Sequence, residues 1–250
     1  MSGWLVIAGL GPGDENLVTP DVRQALDGAT DVVGYIPYVA RVAPRDGLTL
    51  HPSDNRVEMD RSRHALEMVA KGRRVVVVSS GDPGVFAMAS AVFQAVESGP
   101  LAWRELDIRV APGITAMLAA AAQAGAPLGH DFCAINLSDN LKPWPLIEKR
   151  LRLAAEADFA MAFYNPRSKA RPEGFVKTLH VLNEVCADAR PVIFARCVST
   201  PEQDISVVPL PEARPEMADM RTLVIVGSST TRVITREGAP IVYTPRSVVA

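Results

Sequence analysis

Two kinds of hydrophobic pattern alternate along the chain. Short apolar runs, such as 4–8 and the valine-rich 73–79, are separated by longer segments in which apolar residues recur every three or four positions. The short runs are typical of strands that are buried on both faces, and the longer segments are typical of amphipathic helices. Strands that alternate with helices predict an α/β fold with a largely parallel sheet.

A Pro-Gly turn at 112–113 divides the chain near its midpoint. We therefore expect two α/β domains, 1–112 and 113–250. In the last third, strand-like segments are separated by proline-rich loops, which predicts antiparallel strands added to the second domain. The predicted strands are 4–8, 31–33, 73–79, 107–110, 132–137, 159–163, 192–196, 205–208, 222–226 and 241–243, and the predicted helices are 19–27, 59–71, 85–97, 114–124, 145–155 and 173–186.

The composition argues against several classes of protein. The chain has 250 residues, of which 48% are hydrophobic, and a net charge of −2, whereas general nucleic-acid binding relies on a surplus of basic residues. Three widely separated cysteines give no disulfide framework and are typical of a reducing compartment. No apolar run reaches the roughly 18 residues of a membrane span, and the first run is interpreted as a strand rather than a signal peptide. We expect a soluble, cytoplasmic protein.

A glycine turn, Gly9-Leu10-Gly11-Pro12-Gly13, follows the first predicted strand. A dinucleotide-binding loop has the pattern Gly-x-Gly-x-x-Gly and offers backbone N–H groups to a pyrophosphate. Pro12 has no N–H, the third glycine comes one residue early, and the expected acidic residue at the end of the second strand is missing. The turn permits close approach to the backbone, but it disfavours a nicotinamide dehydrogenase.

Two further loops follow predicted strands. The segment 80–86 comes after the valine strand, at the strand end where open α/β sheets bind ligands. In it, Asp82 is an acceptor for a cation or hydroxyl, and Phe86 could form an apolar wall. In the segment 112–116, Thr115 could line the same cleft or simply cap the following helix. A plain β-turn is the alternative for the first of these loops.

A basic loop, 164–171, follows the strand at 159–163 and contains Arg167, Lys169 and Arg171. Guanidinium and ammonium groups match carboxylates, so the loop is interpreted as an anion clamp. The alternative is an ordinary solvated loop. A second basic group occurs in the first half of the chain and comprises Arg41, Arg45, Arg56, Arg61 and Arg63.

Other catalytic chemistry is poorly supported. The four histidines show no spacing typical of metal ligands, so no metal is expected, and Gly-x-Ser-x-Gly and Walker motifs are missing. Cys133 lies in a predicted strand and is interpreted as a core residue.

Taken together, the glycine turn, the two loops and the basic segment resemble the tetrapyrrole methylase family, the class III methyltransferases that depend on S-adenosylmethionine. The resemblance covers essentially the whole chain and rests on the segments 9–14, 80–86, 112–116 and 222–227. A finer similarity to the members that act on precorrin-3B rests on the segments 34–38, 135–144 and 164–169.

The resemblance implies two α/β domains with S-adenosylmethionine in the cleft between them, and a homodimer. It implies methyl transfer to C17 of precorrin-3B, with extrusion of C20 from the ring, to give precorrin-4 and S-adenosylhomocysteine. This cofactor carries no phosphate, so the N–H group that Pro12 lacks is not needed for binding. A sister methylase acting at another carbon of a precorrin or cobalt-precorrin, and a non-catalytic tetrapyrrole carrier, are the alternatives.

The resemblance also leads us to expect particular site residues. Proton transfer during ring contraction is assigned to Tyr164 and Asp139, and no covalent nucleophile is expected. The substrate carboxylates are assigned to Arg56, Arg167 and Lys169. The expected cofactor-binding residues are Pro12, Gly81, Asp82, Val85, Phe86, Thr115, Ala116, Asn165, Ala195 and Thr222.

Overall fold

The computed structural model describes residues 3–247, and the chain divides into two compact units, Met1–Thr115 and Ala116–Ala250. Within the described range, each unit has a five-stranded sheet accompanied by helices. The predicted α/β class is therefore confirmed. Among the same residues, no helix is both long and apolar enough to cross a bilayer.

The sheet of the first unit is parallel throughout. Its strands are β1 (Trp4–Gly9), β2 (Asp31–Tyr35), β3 (Thr49–Ser53), β4 (Arg74–Ser79) and β5 (Asp107–Ala111), and its helices are α1 (Pro20–Gly28), α2 (Ile36–Val39), α3 (Glu58–Ala70) and α4 (Met88–Ser98). The strand order is β3-β2-β4-β1-β5. Because all the strands run the same way, the loops that follow β1, β4 and β5 leave from one edge of the sheet.

The valine run of β4 is buried because both faces of this sheet are covered. Val75 and Val77 belong to a core with residues of α3 and α4, whereas Val76 and Val78 belong to a core on the other face with Val22 of α1. All four valines have 0% exposure. A run without alternation is the pattern expected of a strand in such a three-layer arrangement.

The second unit has a mixed sheet. Its strands are β6 (Gly125–Ala126), β7 (Phe132–Asn136), β8 (Ala160–Tyr164), β9 (Pro191–Arg196), β10 (Asp204–Pro209), β11 (Thr222–Val226), β12 (Arg232–Ile234) and β13 (Ile241–Tyr243), and its helices are α5 (Ala116–Ala124), α6 (Trp144–Glu156) and α7 (Glu173–Val185). The order in the main sheet is β10-β9-β11-β8-β7, and β12-β13-β6 form a small second sheet. Strands β7 and β8 are parallel, whereas β11 is antiparallel to both β8 and β9. The ends of β7, β8 and β9 and the start of β11 therefore share one edge.

Several elements differ from expectation for local reasons. The helix predicted at 85–97 begins only at Met88, because the residues before it form an irregular loop in which Phe86 has a φ of 53°. Strand β3 was not expected, since it contains Pro52, which is tolerated because β3 is an edge strand. Strand β12 is exposed throughout and has only three residues, too few to show a periodic pattern.

Candidate functional site

Three loops of the first unit meet at the carboxyl edge of its sheet. Leu10 N donates to Ser79 O at 2.8 Å, so the chain after β1 stays beside the end of β4. Gly11 and Gly81 then exchange backbone hydrogen bonds of 3.2 Å and 2.9 Å, as in a short antiparallel bridge. Both glycines have positive φ, 66° and 61°, a conformation that favours glycine. The first and second loops are thus joined through their backbones.

The third loop packs against the other two through glycine. A Cβ on Gly9 would lie 2.5 Å from Gly81 O and 2.8 Å from Gly113 N. A Cβ on Gly113 would overlap Gly81 O and lie 2.6 Å from Gly9 O. Only residues without a side chain allow three backbones to come this close. Packing therefore requires glycine at these positions, which the motif alone did not reveal.

Asp82 connects the second loop to the third. Its Oδ1 accepts a hydrogen bond from Gly84 N at 2.8 Å, and its Oδ2 accepts one from Gly113 N at 3.1 Å. The sequence suggested that this carboxylate would face a cation or hydroxyl. In the structure both of its oxygens accept hydrogen bonds from backbone amides. Its evident role is to hold two loops together.

Arg41 holds the first loop and was not among the residues chosen for the site. Its guanidinium donates to the carbonyl oxygens of Leu10, Gly11 and Gly13 at 2.5, 3.2 and 3.3 Å. Burial lowers the pKa of this guanidinium from its ordinary value, but arginine stays charged at any physiological pH. A contact made across 28 to 31 residues leaves no local sequence signal.

Most of the other arginines in the first half also bind the protein itself. Arg45 donates to the carbonyls of Leu26, Asp27 and Ala29 at the end of α1, and Arg61 donates to Ser53 Oγ and to the carbonyls of Ser53 and Asp54. The side chain of Arg63 lies 3.5 Å from Asp60 on α3. Arg56 is exposed and has a φ of 70°.

Two tyrosines lie where β2 ends. The rings of Tyr35 and Tyr38 meet edge to face, with centroids 5.4 Å apart. Burial raises the pKa of the Tyr38 hydroxyl, and the neighbouring Tyr35 raises it further. The pair lies on the carboxyl side of the same sheet, in the segment 34–38 that carries the finer family resemblance, and the sequence predicted no site role for it.

Polar side chains surround Asn136, the last residue of β7, at the carboxyl edge of the main sheet of the second unit. Asn165 Nδ2 donates to Asn136 Oδ1 at 3.1 Å, and Ser138 N donates to the same oxygen at 2.9 Å. Asn165 has a φ of 52°, in the left-handed region that asparagine tolerates better than most residues. The loops after β7 and β8 are therefore joined at a strained residue, which is common at ligand-binding sites.

Tyr164, the last residue of β8, contacts the start of α5. Its hydroxyl oxygen accepts a hydrogen bond from Met117 N at 3.2 Å. The first amides of a helix have no partner within the helix, so the Tyr164 hydroxyl stabilises the start of α5. This hydroxyl therefore has a structural contact as well as its expected chemical role.

The basic loop holds its three cations in different settings. Arg167 Nε is buried and has no hydrogen-bond partner among residues 3–247. Lys169 is exposed. Arg171 lies 3.5 Å from the carboxylate of Asp139, so the expected proton-transfer residue Asp139 has a cationic neighbour. The loop is closed by backbone hydrogen bonds between Ser168 and Arg171.

Thr222 and Ala195 lie on the paired strands β11 and β9. Thr222 Oγ1 donates to Asp219 Oδ1 at 2.8 Å, and Arg196 Nε donates to Asp219 Oδ2 at 2.8 Å. Burial raises the pKa of Asp219, but hydrogen bonds from Arg196, Thr222 and the Arg221 amide outweigh it, so the pKa lies below its usual value. Ala195 is 1% exposed and belongs to the interior of the sheet.

Most of the expected cofactor residues thus lie at the carboxyl edge of one sheet or the other, whereas Ala195 is inside β9 and Ala116 begins α5. The first unit carries Pro12, Gly81, Asp82, Val85, Phe86 and Thr115. The second unit carries Ala116, Asn165, Ala195 and Thr222. Phe86 is 48% exposed and has a positive φ, so its ring projects from a strained loop.

Comparison with known proteins gives consistent matches. The family described as Tetrapyrrole (Corrin/Porphyrin) Methylases matches residues 4–214. The chain is 51% identical over 247 residues to the Precorrin-3B C(17)-methyltransferase of Sinorhizobium sp, covering 98% of this chain and 97% of that protein. It is 45% identical over 250 residues to the cobalamin biosynthesis protein CobIJ of Mycobacterium bovis, covering 98% of this chain and 48% of that protein. The crystal structure of the methyltransferase CobJ matches with a TM-score of 0.93 and 69% identity, covering 98% of this chain and 100% of that one.

Proposed function

Because this chain belongs to the tetrapyrrole (corrin/porphyrin) methylase family, we propose that it is the enzyme that methylates precorrin-3B at C17. The methyl donor is S-adenosylmethionine, and the products are precorrin-4, with a contracted ring, and S-adenosylhomocysteine, in cobalamin biosynthesis. The observation that carries this proposal is the identity of 51%, over nearly the full length of both chains, to a protein of that name.

The residues at the edge of the first sheet fit S-adenosylmethionine better than a nucleotide. A phosphate would need backbone amides, but the amides of Leu10 and Gly11 are already bound to carbonyls of the second loop and its strand. The amides of Gly84 and Gly113 are bound to Asp82. Pro12 has none. A cofactor without phosphate suits loops whose amides are already occupied.

We assign cofactor binding to the expected residues other than Asp82, with the joined loops as one wall of the site. When bound, S-adenosylmethionine supplies an activated methyl group on a sulfonium. The loops then have to orient two reactants, which can lower a barrier without covalent catalysis. Asp82 and Arg41 contribute indirectly, by fixing the loop backbones.

The ring contraction requires proton transfer, and we assign it to Tyr164 and Asp139. The Tyr164 hydroxyl is fixed in direction by the Met117 amide. The Asp139 carboxylate lies 3.5 Å from the Arg171 guanidinium, so an ion pair holds it beside the basic loop.

Three cations are assigned to the carboxylates of the substrate, namely Arg56, Arg167 and Lys169. The support is clearest for Arg167, whose Nε is buried without a partner among the described residues. A buried donor of this kind is costly unless it is hydrogen-bonded, so a carboxylate of the substrate would satisfy it. Arg56 and Lys169 are exposed, so they are available to carboxylates on the outer side of a bound substrate.

We further propose a homodimer that works in the cytoplasm. Val233 and Ile234 on the small sheet are 44% and 48% exposed, and an apolar strand of this kind is suited to an interface. Cys133, Cys186 and Cys197 are free thiols, as in a reducing compartment. Sedimentation analysis should give twice the chain mass of 26.8 kDa; a single-chain mass at micromolar concentration would contradict the dimer. Fractionation of cells should leave the protein with the cytoplasmic fraction.

The reaction can be tested directly. Purified protein is incubated with precorrin-3B, or with its cobalt counterpart, and S-adenosylmethionine labelled with ¹³C in the methyl group. We expect a labelled product with the mass of precorrin-4, whose new methyl carbon is assigned to C17 by NMR. A label at another carbon would indicate a sister methylase. Binding of pigment without binding of cofactor would indicate a non-catalytic carrier.

A further inference from the structure

Two histidines meet outside the candidate site, beside β3, the outer strand of the first sheet. His51 is in the edge strand β3, and His64 is in α3. His64 Nε2 lies 3.5 Å from His51 Nδ1, and the ring centroids are 5.2 Å apart with an interplanar angle of 64°. Their separation of thirteen residues matches no metal motif, which is why the sequence gave no indication of this pair.

The other nitrogen of His51 is held by a buried carboxylate. His51 Nε2 lies 2.9 Å from Asp31 Oδ1, and Asp31 is only 2% exposed. Arg73 binds both oxygens of Asp31, at 2.7 Å and 2.9 Å, so this carboxylate is ionised and accepts the proton of His51 Nε2. The lone pair of His51 Nδ1 therefore points away from Asp31. A carboxylate that orients a histidine in this way is the usual partner of a metal-binding imidazole.

The spacing of the two ring nitrogens suits a shared ion better than a hydrogen bond. Two nitrogens each about 2.1 Å from a tetrahedral ion are about 3.4 Å apart, close to the observed 3.5 Å. A direct hydrogen bond between nitrogens would be shorter, near 3 Å. A straight N–H···N contact of the observed length would also place the ring centroids roughly 6 Å apart, more than the 5.2 Å found. The two rings therefore meet at an angle rather than in a straight line, as two ligands of one ion do.

We propose that His51 Nδ1 and His64 Nε2 bind one divalent transition-metal ion, of the class of Zn²⁺, Ni²⁺, Co²⁺ or Cu²⁺. Imidazole ligands select this class. Within residues 3–247 no group of three His, Cys, Asp or Glu side chains could hold a metal, so water completes the coordination. His51 is partly exposed and His64 is exposed, so water has access.

The ion would join the edge strand β3 to the helix α3 that covers the sheet. A ligand that binds only the folded state stabilises it in proportion to its affinity and concentration. The expected role is structural, because His51 is held by Asp31, the first residue of β2, and this residue lies at the end of the sheet opposite to the glycine loops. Methyl transfer should therefore continue without the ion.

The test uses the full chain, treated with chelator and without a histidine tag. Calorimetric titration with Zn²⁺ should give about one ion per chain, and the melting temperature should rise with Zn²⁺ concentration. His64→Gln should lower the affinity at least about tenfold, and His51→Gln likewise. The control His130→Gln, in the second unit, should bind as the parent does.

A spectroscopic measurement identifies the ligands without any variant. Copper titrated into the parent protein should give an electron paramagnetic resonance spectrum with hyperfine splitting from two imidazole nitrogens. The His64→Gln protein should show one nitrogen or none at this site. Equal Zn²⁺ affinity in the parent and His64→Gln proteins, or a copper spectrum without two nitrogens, would overturn the proposal.

Discussion

Gly113 donates its backbone amide to the carboxylate of Asp82 at 3.1 Å, so one side chain joins two loops that lie 31 residues apart in sequence. The same carboxylate accepts the amide of Gly84 at 2.8 Å. The acidic residue of the second loop is therefore a brace for the backbone. Its effect on a ligand should be indirect, through the position of the third loop.

Replacing Asp82 tests this brace. In Asp82→Asn an amide nitrogen replaces one acceptor, so one backbone N–H loses its partner. Losing a hydrogen bond to a charged group costs about 1.5–3 kcal/mol, and we expect S-adenosylhomocysteine to bind about 10- to 100-fold more weakly by calorimetry. Asp46→Asn, at an exposed position of the same unit, is the control. Unchanged cofactor affinity in Asp82→Asn would contradict the role of the brace.

Replacing Arg41 tests the support of the first loop. Arg41→Ala removes the donors to three loop carbonyls, and we expect cofactor affinity to fall at least about tenfold, with partial recovery in Arg41→Lys. Arg45→Ala is a matched control, because Arg45 also donates to three carbonyls but at the end of α1. Both alanine variants should lose stability in urea, but only Arg41→Ala should lose cofactor affinity. Equal affinities in the two variants would refute the specific role.

Tyr164→Phe separates a structural from a chemical role of the hydroxyl. Loss of the contact with Met117 N should lower the free energy of unfolding by about 1 kcal/mol. If the hydroxyl also transfers a proton, kcat for precorrin-4 formation should fall by about 100-fold with little change in KM. Tyr243→Phe on β13 is the control. A small stability loss with normal kcat would contradict the proton-transfer role and support a structural one.

Arg167→Ala should weaken substrate binding far more than cofactor binding. The variant removes a buried donor suited to a carboxylate, so the KM for precorrin-3B should rise at least about tenfold. The affinity for S-adenosylhomocysteine, measured by calorimetry, should stay within about twofold of the parent, within the range expected of surface changes. Lys149→Ala, at an exposed position on α6, should change neither. Equal losses for both ligands would count against the carboxylate clamp.

The pH dependence of stability should include a contribution from Asp219. Its pKa in the folded chain lies below the usual 3.8, since hydrogen bonds to the ionised form outweigh burial. The stabilisation is therefore present at neutral pH, above the pKa of the unfolded chain, and is lost as the pH falls through the folded pKa. Asp219→Asn should be less stable than the parent in urea at pH 7, and the difference should shrink toward pH 3. Glu216→Gln is the control, and a difference independent of pH would contradict this assignment.

Much of the fold was predictable because burial leaves a local pattern. The strand β11 was predicted with both its ends, and the valine run gave β4 within one residue. The edge strand β3 was missed because it contains Pro52, and the exposed β12 was missed because three residues are too few to show a pattern. The candidate site was predicted from its loop motifs, each of which follows a strand, and its ligand contacts stay a prediction.

The contacts that support those loops could not be predicted. Arg41 resembled its neighbouring arginines in sequence, and only the fold brings it to the carbonyls of the first loop. The roles of Asp82 and of the His51–His64 pair likewise depend on which strands and helices become neighbours. Local pattern identifies a loop, whereas tertiary packing decides which side chains hold it.

The close packing of Gly9, Gly81 and Gly113 bears on the thermodynamics of ligand recognition. The backbone of each glycine occupies space that a side chain on one of the other two would need. The loops therefore take up this arrangement during folding and lose little conformational entropy when a ligand binds. A preorganised surface incurs a small entropy cost when a ligand binds. The glycines thus favour recognition by a fixed shape over recognition by induced fit.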